Sequence, residues 1–341
     1  MSDRIAALVE ELRTGDRAHR RAAEEQLIAL GASGVEHLLT LLGDGACERS
    51  AFRCLSEIGE PALDTLRDIR RHGPGTLRRA ALQALAEMGG SEALPPRDQS
   101  AVERLVRIKL IDQEKTTLPA GSWLAIPADQ VSGAVRALGL HDLRPSTLAM
   151  GVSAAYSHHP DSMTYEAPDG EKKTAYRIFI TPDMNGWRLI YGRMFIYENN
   201  GVDLALQLSS ECGQAHFFEI DSGNDSRVWW FAESGETRRG YSNHWHPEGV
   251  GEPLPFEVRS AEFAAWEENE DDDEDEYEDA DDSGTEEGEL EVTPETDPHE
   301  AAMEISTHPH VLSNLTLHDH GWLATTAAEC PNSRFKGALP L

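Results

Sequence analysis

Apolar residues in the first hundred positions recur with the spacing of a helix. Leu27, Leu30, Val35, Leu38, Leu39 and Leu42 fall at the i, i+3, i+4 intervals of a buried face. The pattern then returns: LIALGASGVEHLLTLL opens at Leu27, LSEIGEPALDTLRDI at Leu55 and LAEMGG at Leu85, with Gly31, Gly59 and Gly89 set 28 to 30 residues apart. Each glycine is predicted to end a helix, because a residue without a Cβ enters the left-handed cap at no steric cost. Pro61 stands at an early helical position, where a missing N–H is tolerated. Pro95-Pro96 closes the block by pushing the preceding residue out of helical geometry. A further helix is predicted from Ser100 to about Asp112, with Arg104, Arg107 and Lys109 on a solvated face or at interdomain contacts.

Past this point the period shortens. SWLAI (122–126) reads as a strand, a helix comes next from Pro127 to near Gly139, and another from Pro145 to Tyr156. HHPDSMTYEAPDGEKK is polar and rich in turn residues, so a loop is expected. AYRIFITP (175–182) alternates as a strand and meets WRLIYGRMF through Asn185-Gly186, the strongest short hairpin signal. VDLALQLSSECG suits a helix stopped at Gly213, and AHFFEID, RVWWFAE and ETRRGYS form a meander turned by SGNDS and SG. GEPLPFEV, with Pro253 and Pro255, is restricted to an edge or terminal strand. After Pro298 come a helix (HEAAMEI), a turn (HPHVL) and a strand (LTLHDHGWLATTA). GWLATTA at 321–327 echoes SWLAIPA at 122–128, which suggests equivalent or adjacent places. The expected fold class is therefore an N-terminal α-helical array followed by an α+β domain with a mainly antiparallel sheet. Its boundaries are 1–95 for the helical repeats, 96–261 for the α+β domain, 262–298 for an acidic disordered insertion, and 299–341 for a helix and strand returning to that domain.

The motif Leu-x-x-[Leu/Ile/Met]-Gly occurs three times in residues 1–95, and glycine-punctuated helical pairs of this length resemble the short HEAT-like repeats. That resemblance implies an α-solenoid. Members mostly bind other proteins, and some short-repeat relatives act as chromophore lyases. Three units are near the minimum for a stable stack, so the array is expected to lean on its neighbour. Over roughly residues 121–327, the order of the Gly186-Trp187 strand, LS..CGQA..F, WWFAESGETRRGY and GEPLPFE resembles an uncharacterised group of small bacterial α+β proteins. These are associated with toxin-neutralising immunity and other polymorphic-toxin neighbourhoods. The shared motifs are structural, and no functional residue carries over from them.

Charge sharpens this picture. The chain carries a net −31, but residues 262–304 alone hold 22 acidic side chains and neither Lys nor Arg. Like charges at that density repel, and too little apolar surface is present to offset the ordering entropy, so 262–291 is expected to be disordered. Nucleic acid and anionic membrane are excluded as partners, whereas a basic protein surface is attracted. No apolar run reaches the ~18 residues of a membrane span, and MSDRIAALVEELRTGDRAHRR lacks a signal-peptide layout. Cys47, Cys54, Cys212 and Cys330 form no CxxC pair, which argues against a disulfide framework or zinc knuckle and fits a reducing compartment. A cytoplasmic protein is expected.

Candidate chemistry is sparse. His244/His246, His308/His310 and His318/His320 are His-x-His pairs, and two residues apart on a strand would present two imidazoles to one metal. NHWHPEG adds Glu248, although Pro247 favours a loop there. Cys212 falls at a helix C-terminus, where the dipole disfavours a thiolate. Glu219 and Asp221 alternate with apolar residues, as an acid/base pair or simply as a solvated sheet face. Trp229 and Trp230 must point to opposite faces. One is then core and the other exposed for binding, unless both faces of the sheet are covered. The expectation is a non-enzymatic protein-interaction protein of the immunity or adaptor type. It needs no cofactor, and Trp229, Trp230, Arg238, Glu219 and Asp221 would meet a basic partner protein. The alternative is a metal-dependent hydrolase or lyase near His244 and His246.

Overall fold

A computed structural model describes residues 2–42, 47–111, 116–156, 161–261, 292–314, 317 and 319–337. The acidic run 262–291, expected above to be disordered, lies outside the described residues. Helices dominate the first third of the chain, and strands, paired mainly antiparallel, dominate the remainder. The chain divides into two compact units, each gathered from separated stretches: unit 1 from residues 1–114, 141–179 and 320–341, and unit 2 from residues 115–140 and 180–319.

Unit 1 begins with α1 (Ser2–Thr14), α2 (Arg17–Ala29), α3 (Val35–Leu39), α4 (Glu48–Ile58), α5 (Glu60–His72), α6 (Gly75–Gly89) and α7 (Pro96–Lys109). Helix α2 opens on Asp16, whose Oδ1 accepts from the Ala18 and His19 amides, satisfying donors that a helix start leaves orphaned. Helix α2 packs on α4 and α4 on α6, while α1 packs on α3 and α3 on α5. Leu27, Leu38, Leu39, Leu55, Leu66 and Leu85 are buried between them with Cys47 and Cys54. Two buried carboxylates in this core are paired, Glu24 with Arg53 and Asp98 with Arg70. Gly31 (φ 58°) and Gly59 (φ 70°) both take positive φ, as expected of helix-ending glycines, although Gly59, with ψ −138°, lies outside the left-handed helical basin. At the third site the cap is Gly90 (φ 66°), and Gly89 is the last helical residue. Helix α7 starts four residues before the expected Ser100, because the fixed φ of Pro96 suits a first helical position.

The remaining stretches of unit 1 supply strands β2 (His141–Ser146), β3 (Ser162–Glu166), β4 (Lys172–Ile180) and β10 (Gly321–Thr325), with helix α9 (Leu148–Ala155) after β2. Strand β10 lies between β2 and β4, and β3 pairs with β4. Strands β2 and β3 replace an expected helix start and an expected loop. Strand β2 shows no alternation, whereas β3 (SMTYE) alternates, with Met163 and Tyr165 half-buried and Thr164 and Glu166 exposed, over only five residues inside a turn-rich stretch.

Unit 2 is a six-stranded antiparallel sheet, β5-β1-β6-β7-β8-β9. Its strands are β1 (Ser122–Pro127), β5 (Trp187–Tyr191), β6 (Gln214–Asp221), β7 (Ser226–Glu233), β8 (Glu236–Ser242) and β9 (His246–Gly251). Its helices are α8 (Val131–Ala137), α10 (Arg193–Asn199), α11 (Gly201–Cys212), α12 (opening at Pro255 and described to residue 261) and α13 (Pro298–Ile305). Helix α11 lies on one face: an added Cβ on Gly201 would come within 2.2 Å of the Phe217 ring. Phe218, necessarily on the other face, stacks on Trp123, which in turn stacks on His299 of α13.

Asn185 (φ 58°) and Gly186 (φ 85°) make the predicted hairpin turn, and Gly213 (φ 84°) ends α11 as expected. GEPLPFEV, however, is not a strand. Its Glu257 is buried and takes Arg239 Nη2 at 2.9 Å together with the Leu254 amide at 2.8 Å, so the segment turns into α12 at Pro255. Conversely, His246-Pro247-Glu248 lies in a strand rather than a loop, because β9 is the edge, where proline's missing donor faces no partner. Among the described residues no helix is long and apolar enough to cross a membrane.

Candidate functional site

The two tryptophans of β7 project to opposite faces, and both faces are covered. Trp229 is fully buried, 6.3 Å from the Phe256 ring, and its Nε1 donates to the Glu295 carbonyl at 2.6 Å. Trp230 packs on Gly240, where any Cβ would come within 2.3 Å of the indole, and its Nε1 donates to Thr237 Oγ1 at 3.0 Å. Neither indole is presented to a partner.

Among the described residues the exposed tryptophan is Trp245, 63% accessible in the turn between β8 and β9. Ser242 Oγ accepts from the His244 and Trp245 amides, both at 3.4 Å. Asn243 ties this turn to the neighbouring β6–β7 turn: its Oδ1 accepts from the Arg227 amide at 2.9 Å and its Nδ2 donates to the Asp225 carbonyl at 2.6 Å. The β6–β7 turn is itself built on Asp221, which accepts from the Gly223 amide at 2.9 Å and from Asn224 Nδ2 at 2.6 Å. The Gly223 N–H first, then the Asn224 side chain, hold the Asp221 carboxyl below its ordinary range. Glu219 accepts from Ser226 Oγ at 2.7 Å. Both carboxylates are therefore engaged in building a hairpin. Arg238 stands at the far end of β8, exposed and paired with Glu233 at 3.2 Å.

His244 and His246 flank Trp245 and are exposed, and the His246 ring rests 5.7 Å from Trp230. Among the described residues no group of three or more His, Cys, Asp or Glu is placed to hold a metal ion. The structure gathers a different set of histidines. The His310 amide donates to His308 Nδ1 at 3.1 Å, which leaves the proton of neutral His308 on Nε2, 2.5 Å from His299 Nδ1. Burial first, then the neighbouring imidazoles of His299 and His310, push His308 down to about 4. His318 lies outside the described residues. Burial also raises the thiol of Cys212 to about 11, far from a nucleophile's range.

The surface that emerges is one end of the sheet. Trp245 stands at two clamped turns, with Asp225 exposed in the β6–β7 turn that Asn243 holds and Glu248 exposed three residues further on. Of the tryptophans in this stretch, the structure buries Trp229 and Trp230, which the sequence offered for binding, and exposes Trp245. The usable signal was in NHWHPEG, where Trp245 alone among the tryptophans of 187–257 stands among polar residues outside any alternation. Compared with known proteins, the chain matches no family model, no curated protein and no solved structure.

Proposed function

We propose that this chain is a non-enzymatic protein-interaction protein, an immunity or adaptor protein whose partner carries a basic surface. The observation that carries the reading is Trp245, a large apolar side chain held in the open by a rigid pair of turns beside acidic residues. Aromatic residues of this kind anchor interfaces because they bury much area with little side-chain entropy to lose. The net charge of −31 supplies attraction at a distance and sets the sign of the partner. The helical array belongs to the same proposal as a short HEAT-like solenoid. Its two rows, α2-α4-α6 and α1-α3-α5, support that reading. The enzymatic alternative near His244 and His246 has no third ligand among the described residues to favour it.

The test places a photo-crosslinking residue at the neighbouring exposed position 244 and compares capture from the source cells by the chain with Trp245 intact and by the same chain with Trp245→Ala. One captured basic protein is expected, with affinity reduced on the order of 10- to 100-fold by Trp245→Ala, as for an interface anchor. Capture that is equal for the two chains would remove Trp245 from the interface and the reading with it. So would stoichiometric metal in the purified protein that is lost on His244→Ala.

A further inference from the structure

Unit 1 holds an open cavity of about 680 Å³, within the ~300–1,000 Å³ typical of small-molecule sites. Val102 and Val106 of α7 and Leu110 just past its end form one wall, and Leu94, Met150 and Leu323 continue it. Arg107 and Arg144 stand exposed at its rim with Glu92 and Glu103.

The unusual member of the lining is Arg177 on β4. It is 1% exposed, yet among the described residues no carboxylate forms an ion pair with it. Glu87 and Asp161 favour its charge through space, but burial outweighs them and pulls the guanidinium down to about 9. Its Nη1 donates to the Lys336 carbonyl at 2.8 Å and its Nη2 to the Asn332 carbonyl at 3.1 Å, while its guanidinium lies 4.8 Å from the centre of the Phe335 ring. Its Nε has no acceptor, and Asn332 Oδ1, also in the lining, is buried with no donor. Of the five N–H groups on a guanidinium, two are thus engaged by protein. A buried charge with no counter-charge in contact is costly. If holding residues 332–336 were its whole task, a neutral donor would do the same without that cost.

We propose that this cavity binds a small amphipathic carboxylate, its alkyl or aromatic body against α7 and its carboxylate on the free N–H groups of Arg177. The pairing completes the guanidinium's donors and brings a counter-charge into contact with it, and a charge-assisted bond in a dry wall is stronger than a neutral one. The site is separate from the surface around Trp245, and neither reading depends on the other.

The test titrates the full chain with decanoate and, as its neutral counterpart, decanol, and follows heat of binding. Decanoate is expected to bind one per chain, about tenfold or more tighter than decanol. Val106→Trp, which fills the cavity, should abolish binding while leaving the thermal midpoint in place. Arg177→Gln should erase the preference for the carboxylate. Equal affinity for decanol, no heat up to millimolar decanoate, or undiminished binding by a folded Val106→Trp chain would each overturn the proposal. The comparison of the two probes on the unmodified chain needs no variant to fold.

Discussion

His216 shows how much a single side chain can reveal about conditions. It is buried on β6 between Trp187 (4.7 Å) and Phe231 (4.8 Å), and neither ring nitrogen has a hydrogen-bond partner. Burial pushes its pKa down to about 3. Between that value and the unfolded ~6.5 the unfolded chain binds the proton and the folded chain does not, so stability falls as pH drops. The loss from this one group is ~1.4 kcal/mol per pH unit below 6.5, ending near pH 3. His216→Leu is expected to raise stability at pH 7 by about 1 kcal/mol, by removing two unsatisfied polar atoms, and to flatten the decline towards pH 4. Urea unfolding at pH 7, 5.5 and 4 checks both; a slope with pH equal to that of the unmodified chain would show that His216 is not the group responsible. His308, also depressed, will keep part of the slope. At this scale the sequence was legible as to which residues are aromatic. It could not say which aromatic is covered, because that depends on α11 and α13 arriving from elsewhere in the chain. Hence Trp229 and Trp230 looked available and Trp245 was passed over.

Among the elements, legibility tracked local chemistry. Hairpin turns and helix stops are written in two or three neighbouring residues, and Asn185-Gly186, Gly213, Gly31 and Gly59 all behave as expected. The third helix stop slipped by one residue for an instructive reason. Gly89 and Gly90 are equivalent to a local rule, and both are crowded in the fold: an added Cβ would lie 2.4 Å from Ala93 Cβ at Gly89 and 2.4 Å from the Phe335 carbonyl oxygen at Gly90. Gly59 has a similar positive-φ, extended-ψ conformation with nothing within 4 Å. Gly59→Ala is therefore expected to cost ~1–3 kcal/mol, the conformational term alone, and Gly90→Ala clearly more. Denaturant midpoints of the two variants, measured side by side, test the difference, and equal losses would mean that Phe335 yields freely. Strand β2 stayed hidden because a flanking strand with polar residues needs only backbone pairing, which sequence pattern does not record, and β3 because its alternation spans five residues amid turn formers.

For the whole molecule, the decisive fact is that unit 1 is assembled from three stretches, the last of them beginning at residue 320. Strand β10 in that stretch pairs with β2, and residues 332–336 hold Arg177 in place. A chain stopped after Asp319 should therefore lose protection from hydrogen exchange in β2 and α6 while α1 and α2 keep theirs. Unchanged exchange in β2 would show that unit 1 stands without its last stretch. Sequence order could suggest that the chain returns to a sheet, since GWLAT has a strand's pattern, but it carries no information about which edge receives it.

The late arrival of β10 has a further consequence, during synthesis. A ribosome adds ~5–20 residues per second, so the helices of unit 1 are complete roughly 10 to 40 seconds before the strand that closes its sheet is made. Through that interval β2 has an open edge and the floor around Arg177 is missing. An unpaired strand edge is a template for pairing with another chain. Newly made molecules on one message are thus each other's nearest hazard, and slowing translation should raise the insoluble fraction of this protein rather than lower it.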